Sequence, residues 1–402
     1  MNISRRDFLQ LSSAGLITLG CPFTGLSFTN SSKKKYLFLI ELGGGNDGIN
    51  TLIPLNQFNE IKKMRPNSFM DESLLKNTIY SNSGQEIAFN PYLKDLYNLQ
   101  TAGNLIPILG LGVKDSVSSL SHFHQIKTWE KGSSIHSHQG WISEVHNHYK
   151  LNHKGPLGTI LGSNQHGVFN GQENKTLVIN QLAKFLKYQK QIKDLPPQHN
   201  DPKLRELNKF IANLDLSLNS SSELNSINFS EDRFSQDILT ALTLISNKKS
   251  HIPVFKIKLG GFDTHKELLT RHKTLMTNLN NGIKSLVDGL KALGLFNDSL
   301  IMTYSEFGRR AYENNSNGND HGTSGVQFLI GGSIASHKVF GEYPDITKWN
   351  KRKNIETSLD FRKIYASILN DFLEVELLDT PDGLGDRYYL LKEYYDPTYS
   401  LK

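Results

Sequence analysis

The chain has 402 residues, of which 37% are hydrophobic and 21% charged, and its single cysteine excludes an internal disulfide. This length is enough for one large α/β domain with a substantial core. The formal net charge of +6 is a modest excess for this size and the lysines are scattered, so the composition is not that of a nucleic-acid-binding protein.

The first thirty residues have the features of an export signal. Residues 5–10 read RRDFLQ, a paired arginine with Phe-Leu two and three positions further on, and Gln stands where twin-arginine signals usually carry Lys. The apolar stretch 11–20 that follows is uncharged and too short to span a bilayer as a helix. We therefore predict a twin-arginine signal and tether over 1–30, recognised by the twin-arginine translocase, and a periplasmic or extracellular location. Lipid anchoring at Cys21 remains an open alternative.

Strands alternate with helices along the rest of the chain, a pattern that favours an α/β fold with a largely parallel sheet. No later apolar run approaches the length of a membrane-spanning helix. Residues 33–402 are expected to form one domain, with a polar surface insertion near 186–235 that contains an amphipathic helix near 204–214. The predicted elements are buried strands at 36–42, 105–109, 254–259, 299–304 and 326–330, a helix over 119–131, and a helix whose apolar stripe runs from Leu275 to Leu290.

Four loops next to these strands combine glycine with carboxylate or imidazole side chains. In an open parallel sheet, ligands bind beyond the carboxyl ends of the strands, and Asp, Glu and neutral His suit a divalent metal there. Each loop taken alone is also consistent with ordinary turn chemistry, since Asp and Asn are common beside Gly in turns. Taken together, the loops predict at least one divalent ion. They are GGGNDG at 43–48, GGFDTH at 260–265, SEFGR at 305–309 and NDHGT at 319–323.

The first of these loops also satisfies the G-x-G-x-x-G pattern of dinucleotide sites through Gly43, Gly45 and Gly48. That pattern must open a helix. Residues 49–54 (INTLIP) are rich in β-formers and end in proline, which disfavours a helix here. A nucleotide site is therefore not expected.

Ser121 is the candidate nucleophile because it lies at the predicted start of a helix, where unpaired backbone N–H groups favour an anionic oxygen. The alternative role for this serine is a helix N-cap. His122 and His124 are either metal ligands or surface residues. The histidines at 136, 138, 146 and 148 are expected at the surface.

Several of these segments resemble the domain of unknown function 1501 family, exported proteins related in pattern to the alkaline phosphatase and sulfatase superfamily. The resemblance spans nearly the whole mature chain and implies an alkaline-phosphatase-like, three-layer α/β/α core. The matching segments are LGGGNDGINT at 42–51, SHF at 121–123, GWI at 140–142, GFDTH at 261–265, SEFGR at 305–309 and DHGT at 320–323.

The resemblance also implies roles for single residues. Ser121 takes the nucleophile's place, with Gly132 near the end of its helix, and Phe307 stands where the superfamily has a histidine. The implied metal ligands are Asp47, Asp263, His265, Glu306, Asp320 and His321.

These expectations combine into a metal-dependent hydrolase of phosphate or sulfate esters, exported and acting on a small-molecule or polymer substrate. Zinc, manganese, magnesium or calcium would activate Ser121 or a water, and Arg309 would clamp the anion. The alternative is a non-catalytic exported binding or assembly protein that uses the same loops.

Replacement of Arg5 and Arg6 by lysine should leave the precursor in the cytoplasm, because the arginine pair is the element that the translocase recognises. Immunoblots of periplasmic and cytoplasmic fractions measure this, with Lys33→Arg as the matched control. Unchanged periplasmic levels of the double variant would exclude the twin-arginine route.

Overall fold

The computed structural model describes residues 34–113, 120–132, 138–148, 156–172, 176–193, 212, 222–246, 253–346 and 354–374. The predicted export signal, Cys21 and His136 lie outside these ranges, as does nearly all of the amphipathic helix predicted near 204–214.

Strands and helices alternate through most of the described chain. The strands are β1 (Tyr36–Gly43), β2 (Leu52–Pro54), β3 (Thr78–Tyr80), β4 (Glu86–Phe89), β5 (Leu105–Gly112), β6 (Gly158–Leu161), β7 (Thr176–Ile179), β8 (Val254–Gly260), β9 (Ser299–Tyr304), β10 (Arg309–Glu313), β11 (Asn319–His321), β12 (Gly325–Gly331) and β13 (Leu359–Asp360). The α-helices are α1 (Gly48–Thr51), α2 (Phe58–Met64), α3 (Lys94–Thr101), α4 (His122–Lys131), α5 (Trp141–His148), α6 (Leu182–Lys193), α7 (Arg233–Ser246), α8 (Leu268–Ala292) and α9 (Arg362–Ser367).

Eight of the strands form the central sheet, in the order β13-β5-β12-β9-β1-β8-β6-β7. All the pairings are parallel except the two made by β12, which runs antiparallel to both β5 and β9. Two smaller sheets, β2-β4-β3 and β10-β11, lie outside it. The predicted α/β fold with a largely parallel sheet is therefore confirmed.

Both faces of the central sheet are covered by helices. Along β1, Phe38 and Ile40 belong to one buried cluster, and Leu37 and Leu39 belong to the other. The first cluster includes apolar residues of α3, α7 and α8, and the second includes residues of α4, α5 and α9. Because a central strand is buried on both faces, β1 reads as a continuous apolar run, which is what made it recognisable in the sequence.

The helix predicted over 119–131 begins at His122, and the prediction and the structure differ at three further places. The segment after β1 forms one helical turn, Gly48–Thr51, although its β-rich composition argued against a helix, and β2 begins at the next residue. β5 extends beyond the predicted 105–109 to Gly112, and the carbonyl of its Pro107 accepts a hydrogen bond from the Phe340 N–H at 2.9 Å. Near the predicted end of the insertion, Phe234 is buried and lies in α7.

The strand directions bring the four predicted loops to one edge of the sheet. β1, β8 and β9 are parallel neighbours, so their carboxyl ends lie side by side. β12 runs the opposite way, and the loop before it therefore returns to the same edge. Among the described residues, no helix has the length and apolar character required to cross a bilayer.

Asp237 of α7 is a buried carboxyl group whose nearest cation, the Arg233 guanidinium, is 3.7 Å away. Burial raises the pKa of Asp237 to about 7, far above the usual value for this side chain. A carboxyl with a raised pKa in the folded state binds its proton more tightly there than in the unfolded chain. Its contribution to stability is therefore present at low pH and is lost as the pH rises from about 4 to about 7.

Asp237→Asn should consequently unfold at a higher urea concentration than the wild type at pH 8, while the two proteins converge near pH 4. Asp288→Asn, at a half-exposed position of α8 where the carboxylate pairs with Lys284, is the control and should show no such gain at pH 8. An equal difference between Asp237→Asn and wild type at both pH values would show that Asp237 is not protonated in the fold.

Candidate metal centre

Three histidines at the sheet edge are held in the same way, through the Nδ1 atom of the ring. Each Nδ1 lies against an oxygen acceptor, which fixes the ring orientation and leaves Nε2 available on the other side. The pairs are His122 with Glu306 Oε1 at 2.7 Å, His265 with Asp320 Oδ1 at 3.3 Å, and His321 with the Leu120 carbonyl at 2.7 Å.

The three Nε2 atoms converge on one carboxylate oxygen, Asp263 Oδ1. The distances to this oxygen are 3.4 Å from His122, 3.2 Å from His265 and 3.3 Å from His321. A tetrahedral ion with bonds of about 2.0 Å separates its ligand atoms by about 3.3 Å. The spacing around Asp263 is therefore that of the donor atoms of one tetrahedral ion.

The donor atoms of His122, Asp263 and His321 all lie within 4.8 Å of one another. His122 Nε2 is buried and forms no hydrogen bond with any described residue. A buried imidazole nitrogen without a partner is costly, and a bound cation would satisfy it. The residues present therefore fit a divalent ion, and imidazole-rich donor sets suit zinc and similar borderline metals better than magnesium or calcium.

His265 lies beside this set, on its solvent side. Its side chain is 42% exposed, and its Nε2 lies 2.8 Å from His321 Nε2. Asp263 is also half exposed, whereas His122 and His321 are more enclosed. The ion position is therefore open to solvent on the side of Asp263 and His265.

Arg309 fastens the loops that carry these donors. Its guanidinium is buried and donates to the carbonyls of Gly45 (2.8 Å), Asn319 (2.9 Å) and Phe262 (3.0 Å), to the Gly44 carbonyl, and to Asp263 Oδ1 (2.7 Å). A clamp on a substrate anion, the role predicted for Arg309, needs donors that face solvent. The structure instead directs this guanidinium to the protein's own backbone.

Asp47, which was predicted to bind the metal, instead forms an ion pair with Arg65. Its carboxylate lies 2.7 Å from the Arg65 guanidinium, and both side chains are fully buried. Burial disfavours the charged carboxylate, but the Arg65 charge outweighs this and lowers the pKa of Asp47. The Arg65 guanidinium also donates to the carbonyls of Ala311 and Arg310, so the pair attaches β10 to the segment after β1.

Glu306 and Asp320, also predicted as ligands, stand behind the donors. Glu306 accepts from the Gly44 N–H at 2.8 Å in addition to its contact with His122. Asp320 accepts from the Asn314 side chain at 3.3 Å in addition to its contact with His265. Neither carboxylate faces the ion position directly: each contacts the Nδ1 atom of a histidine whose Nε2 points toward that position.

Ser121 lies at the N-cap position of α4, as predicted, and is exposed. Its side chain forms no capping hydrogen bond, although its carbonyl accepts from the N–H groups of His124 and Gln125. Its two neighbours in sequence both contribute to the centre, Leu120 through its carbonyl and His122 through its ring. α4 ends at Gly132, which has a φ of 70°, as the sequence indicated.

Glycine is required where the loops meet. Gly44 has a φ of 121°, and a Cβ at this position would lie 2.3 Å from the Asp263 backbone nitrogen. At Gly45 (φ 83°), a Cβ would lie 2.3 Å from the Phe307 ring. The Gly-rich loop after β1 therefore permits close approach to the loops after β8 and β9.

Local charges shift the titration of three of these groups. The hydrogen bond with Glu306 raises the pKa of His122. Burial lowers the pKa of His321. Burial alone would raise the pKa of Asp263, but the hydrogen bond and charge of Arg309 outweigh it and lower the pKa. Asp263 is therefore ionised and His321 neutral at pH 7, as metal ligands must be.

The sequence left His122 as either a metal ligand or a surface residue, and the structure places its ring among the possible metal donors. The available signal was its position directly after Ser121, at the start of a helix whose amino end faces the sheet edge. The expectation of a surface histidine cluster is wrong for His146, which is buried, and holds for His138, which is exposed.

Comparison with known proteins identifies a family and a set of distant structural neighbours. The profile of the family described as "Protein of unknown function (DUF1501)" matches residues 113–373. No protein of curated function matches the chain.

Solved structures resemble this chain at low identity. They include the phosphonate monoester hydrolase SpPMH from Silicibacter pomeroyi (10% identity, TM-score 0.43, 91% of this chain and 78% of that chain). A protein in the alkaline phosphatase superfamily from Vibrio parahaemolyticus matches at 9% identity (TM-score 0.38, 85% and 71%). The lipoteichoic acid synthase LtaP from Listeria monocytogenes matches at 10% identity (TM-score 0.37, 90% and 77%). These identities are too low to carry over residue roles.

The protein should bind zinc, and Asp263→Asn and His321→Ala should each lower its metal content, because each removes a donor of the centre. Zinc at 100 times its dissociation constant should stabilise the wild type by about 2.7 kcal/mol, which a thermal melt detects. His138→Ala, an exposed histidine outside the centre, is the matched control. Equal metal content in all three variants would place the ion elsewhere.

Proposed function

This chain belongs to the DUF1501 family, and we propose that it is an exported hydrolase that uses a divalent metal ion to cleave phosphate or sulfate esters. The observation that carries the proposal is the convergence of three imidazole Nε2 atoms on Asp263 Oδ1 at 3.2–3.4 Å. Such a set of borderline donors at the carboxyl edge of a parallel sheet is suited to Lewis-acid chemistry on an anionic substrate.

His122, Asp263 and His321 would hold the ion, because each is fixed from behind by a partner on another loop. These partners are Glu306, Arg309 and the Leu120 carbonyl. His265 would contribute from the solvent side, where its own orienting contact with Asp320 is longer. When bound, the ion would polarise an ester oxygen and stabilise the charge that develops on it.

The chain's own residues would orient the ester. Asp263 and His265 are exposed, so a substrate approaches from their side. Ser121 is exposed at the amino end of α4, where the partial positive charge of the helix favours an anionic oxygen. Its neighbours Leu120 and His122 both contribute to the centre, and we infer from this that Ser121 is the nucleophile.

A second candidate is an exported binding or assembly protein that keeps the metal and lacks turnover. The observation that favours it is the position of His265. Its Nε2 lies 3.2 Å from Asp263 Oδ1 and 2.8 Å from His321 Nε2, on the solvent side, where a catalytic zinc site usually keeps a position for water or substrate.

A panel of aryl phosphates, phosphodiesters and sulfates decides between the two candidates. The hydrolase should show metal-dependent turnover that Ser121→Ala abolishes, because the nucleophilic oxygen is removed. Metal content and melting temperature should change little, since the Ser121 side chain is exposed and forms no capping hydrogen bond. Ser83→Ala, in the loop between β3 and β4, is the control.

Full activity in Ser121→Ala would contradict the role of this serine while retaining the hydrolase. Bound metal without turnover on any ester of the panel would favour the binding protein.

A further inference from the structure

We propose that the centre takes a single ion of the zinc class and that Glu306 is a positioning residue, which makes His122 a ligand and does not itself bind the ion. The inference rests on the metal site of the proposed function and is independent of whether esters are hydrolysed.

The Glu306 oxygen nearest His122, Oε1, already has two hydrogen-bond partners, and Glu306 contributes no atom to the described group of possible metal donors. Its side chain is 5% exposed, so water cannot satisfy it. Oε1 accepts from the Gly44 N–H at 2.8 Å and lies 2.7 Å from His122 Nδ1, and Oε2 lies 3.4 Å from the Ser305 hydroxyl. An oxygen with two hydrogen-bond partners has no lone pair left for a metal.

The His122 ring is held in a single orientation by its neighbours. It packs between the Phe307 ring, with centroids 4.8 Å apart, and the His321 ring, with centroids 4.4 Å apart in an edge-on arrangement. With Nδ1 on Glu306, its buried Nε2 can only point toward Asp263 and His321. A carboxylate behind an imidazole fixes the tautomer and raises its basicity as a ligand.

Among the described residues, a second ion finds no carboxylate or imidazole donors beside Glu306. Phe307 offers an apolar ring, and this ring lies against the Gly45 backbone. Asp47 is engaged with Arg65, and both of these side chains are fully buried. Within the described part of the chain, the carboxylates and histidines that can hold an ion form one group, His122, Asp263 and His321.

A positioning role makes a specific thermodynamic prediction. If Glu306 acts only through His122, its removal costs nothing further once His122 is gone, so the two losses are not additive. Loss of such an orienting partner lowers metal affinity by about 10-fold to 100-fold. Two independent ligands would instead lower the affinity by the product of their separate factors.

The test measures zinc affinity, by competition with a chromophoric chelator, in wild type, Glu306→Gln, Glu306→Ala, His122→Ala and the Glu306→Ala/His122→Ala double variant. Metal analysis gives the stoichiometry, and the visible spectrum of the cobalt-substituted protein reports the ligand geometry. Melting temperatures of the metal-free variants separate loss of a ligand from loss of the fold. Glu342→Gln, an exposed carboxylate, is the control.

We expect one equivalent of zinc in the wild type and equal affinities for His122→Ala and the double variant. Glu306→Gln should keep the wild-type cobalt spectrum, since its amide oxygen still accepts from His122, whereas Glu306→Ala should share the altered spectrum of His122→Ala. If Glu306→Ala does not fold, Glu306→Gln still distinguishes a positioning residue from a ligand. Loss of a carboxylate ligand would change the cobalt spectrum of Glu306→Gln, whereas loss of a positioning carboxylate would not.

Additive losses in the double variant, or two equivalents of zinc in the wild type, would overturn the inference. An absence of ester turnover would leave these results unaffected, so failure of the hydrolase and failure of the positioning role are distinguishable.

Discussion

The buried guanidinium of Arg309 is the constraint on which the rest of the centre depends. It donates to backbone carbonyls in the loops after β1 and β8 and in β11, and to the Asp263 carboxylate. A buried charge left without partners costs several kcal/mol, so these loops are held where their oxygens can meet it. The geometry of Asp263 is therefore fixed from inside the protein, before any ion or substrate is present.

A second set of contacts transmits this rigidity to the imidazoles. The loop after β9 supplies Glu306 to His122, and the segment before α4 supplies the Leu120 carbonyl to His321. The donors thus come from different strands and loops, and each is supported by a residue of another loop. Sites built in this way hold their donors close to productive geometry, because the supporting contacts restrict the side-chain rotamers.

The sequence predicted the fold and the location of the site better than it predicted the roles of the residues. β1 and the stripe of α8 were recognisable because apolar periodicity is a local property of the chain. Asp263 and His321 lie close together, as expected, because they follow or precede strands that meet at one edge. Arg309 was predicted to face a substrate. Its actual partners are backbone carbonyls distant in sequence, which no local pattern reveals. Asp47 was predicted as a ligand, but it pairs with Arg65. This pairing was not predictable from the sequence, because the two residues meet only in the folded chain.

The most direct test of this account is an anomalous difference map at the zinc absorption edge, from crystals of the metal-loaded protein. The account predicts one peak about 2.0 Å from the Nε2 atoms of His122 and His321 and from the Asp263 carboxylate, with Glu306 still on His122 Nδ1. Two peaks, or a peak bonded to Glu306 or Asp47, would contradict it.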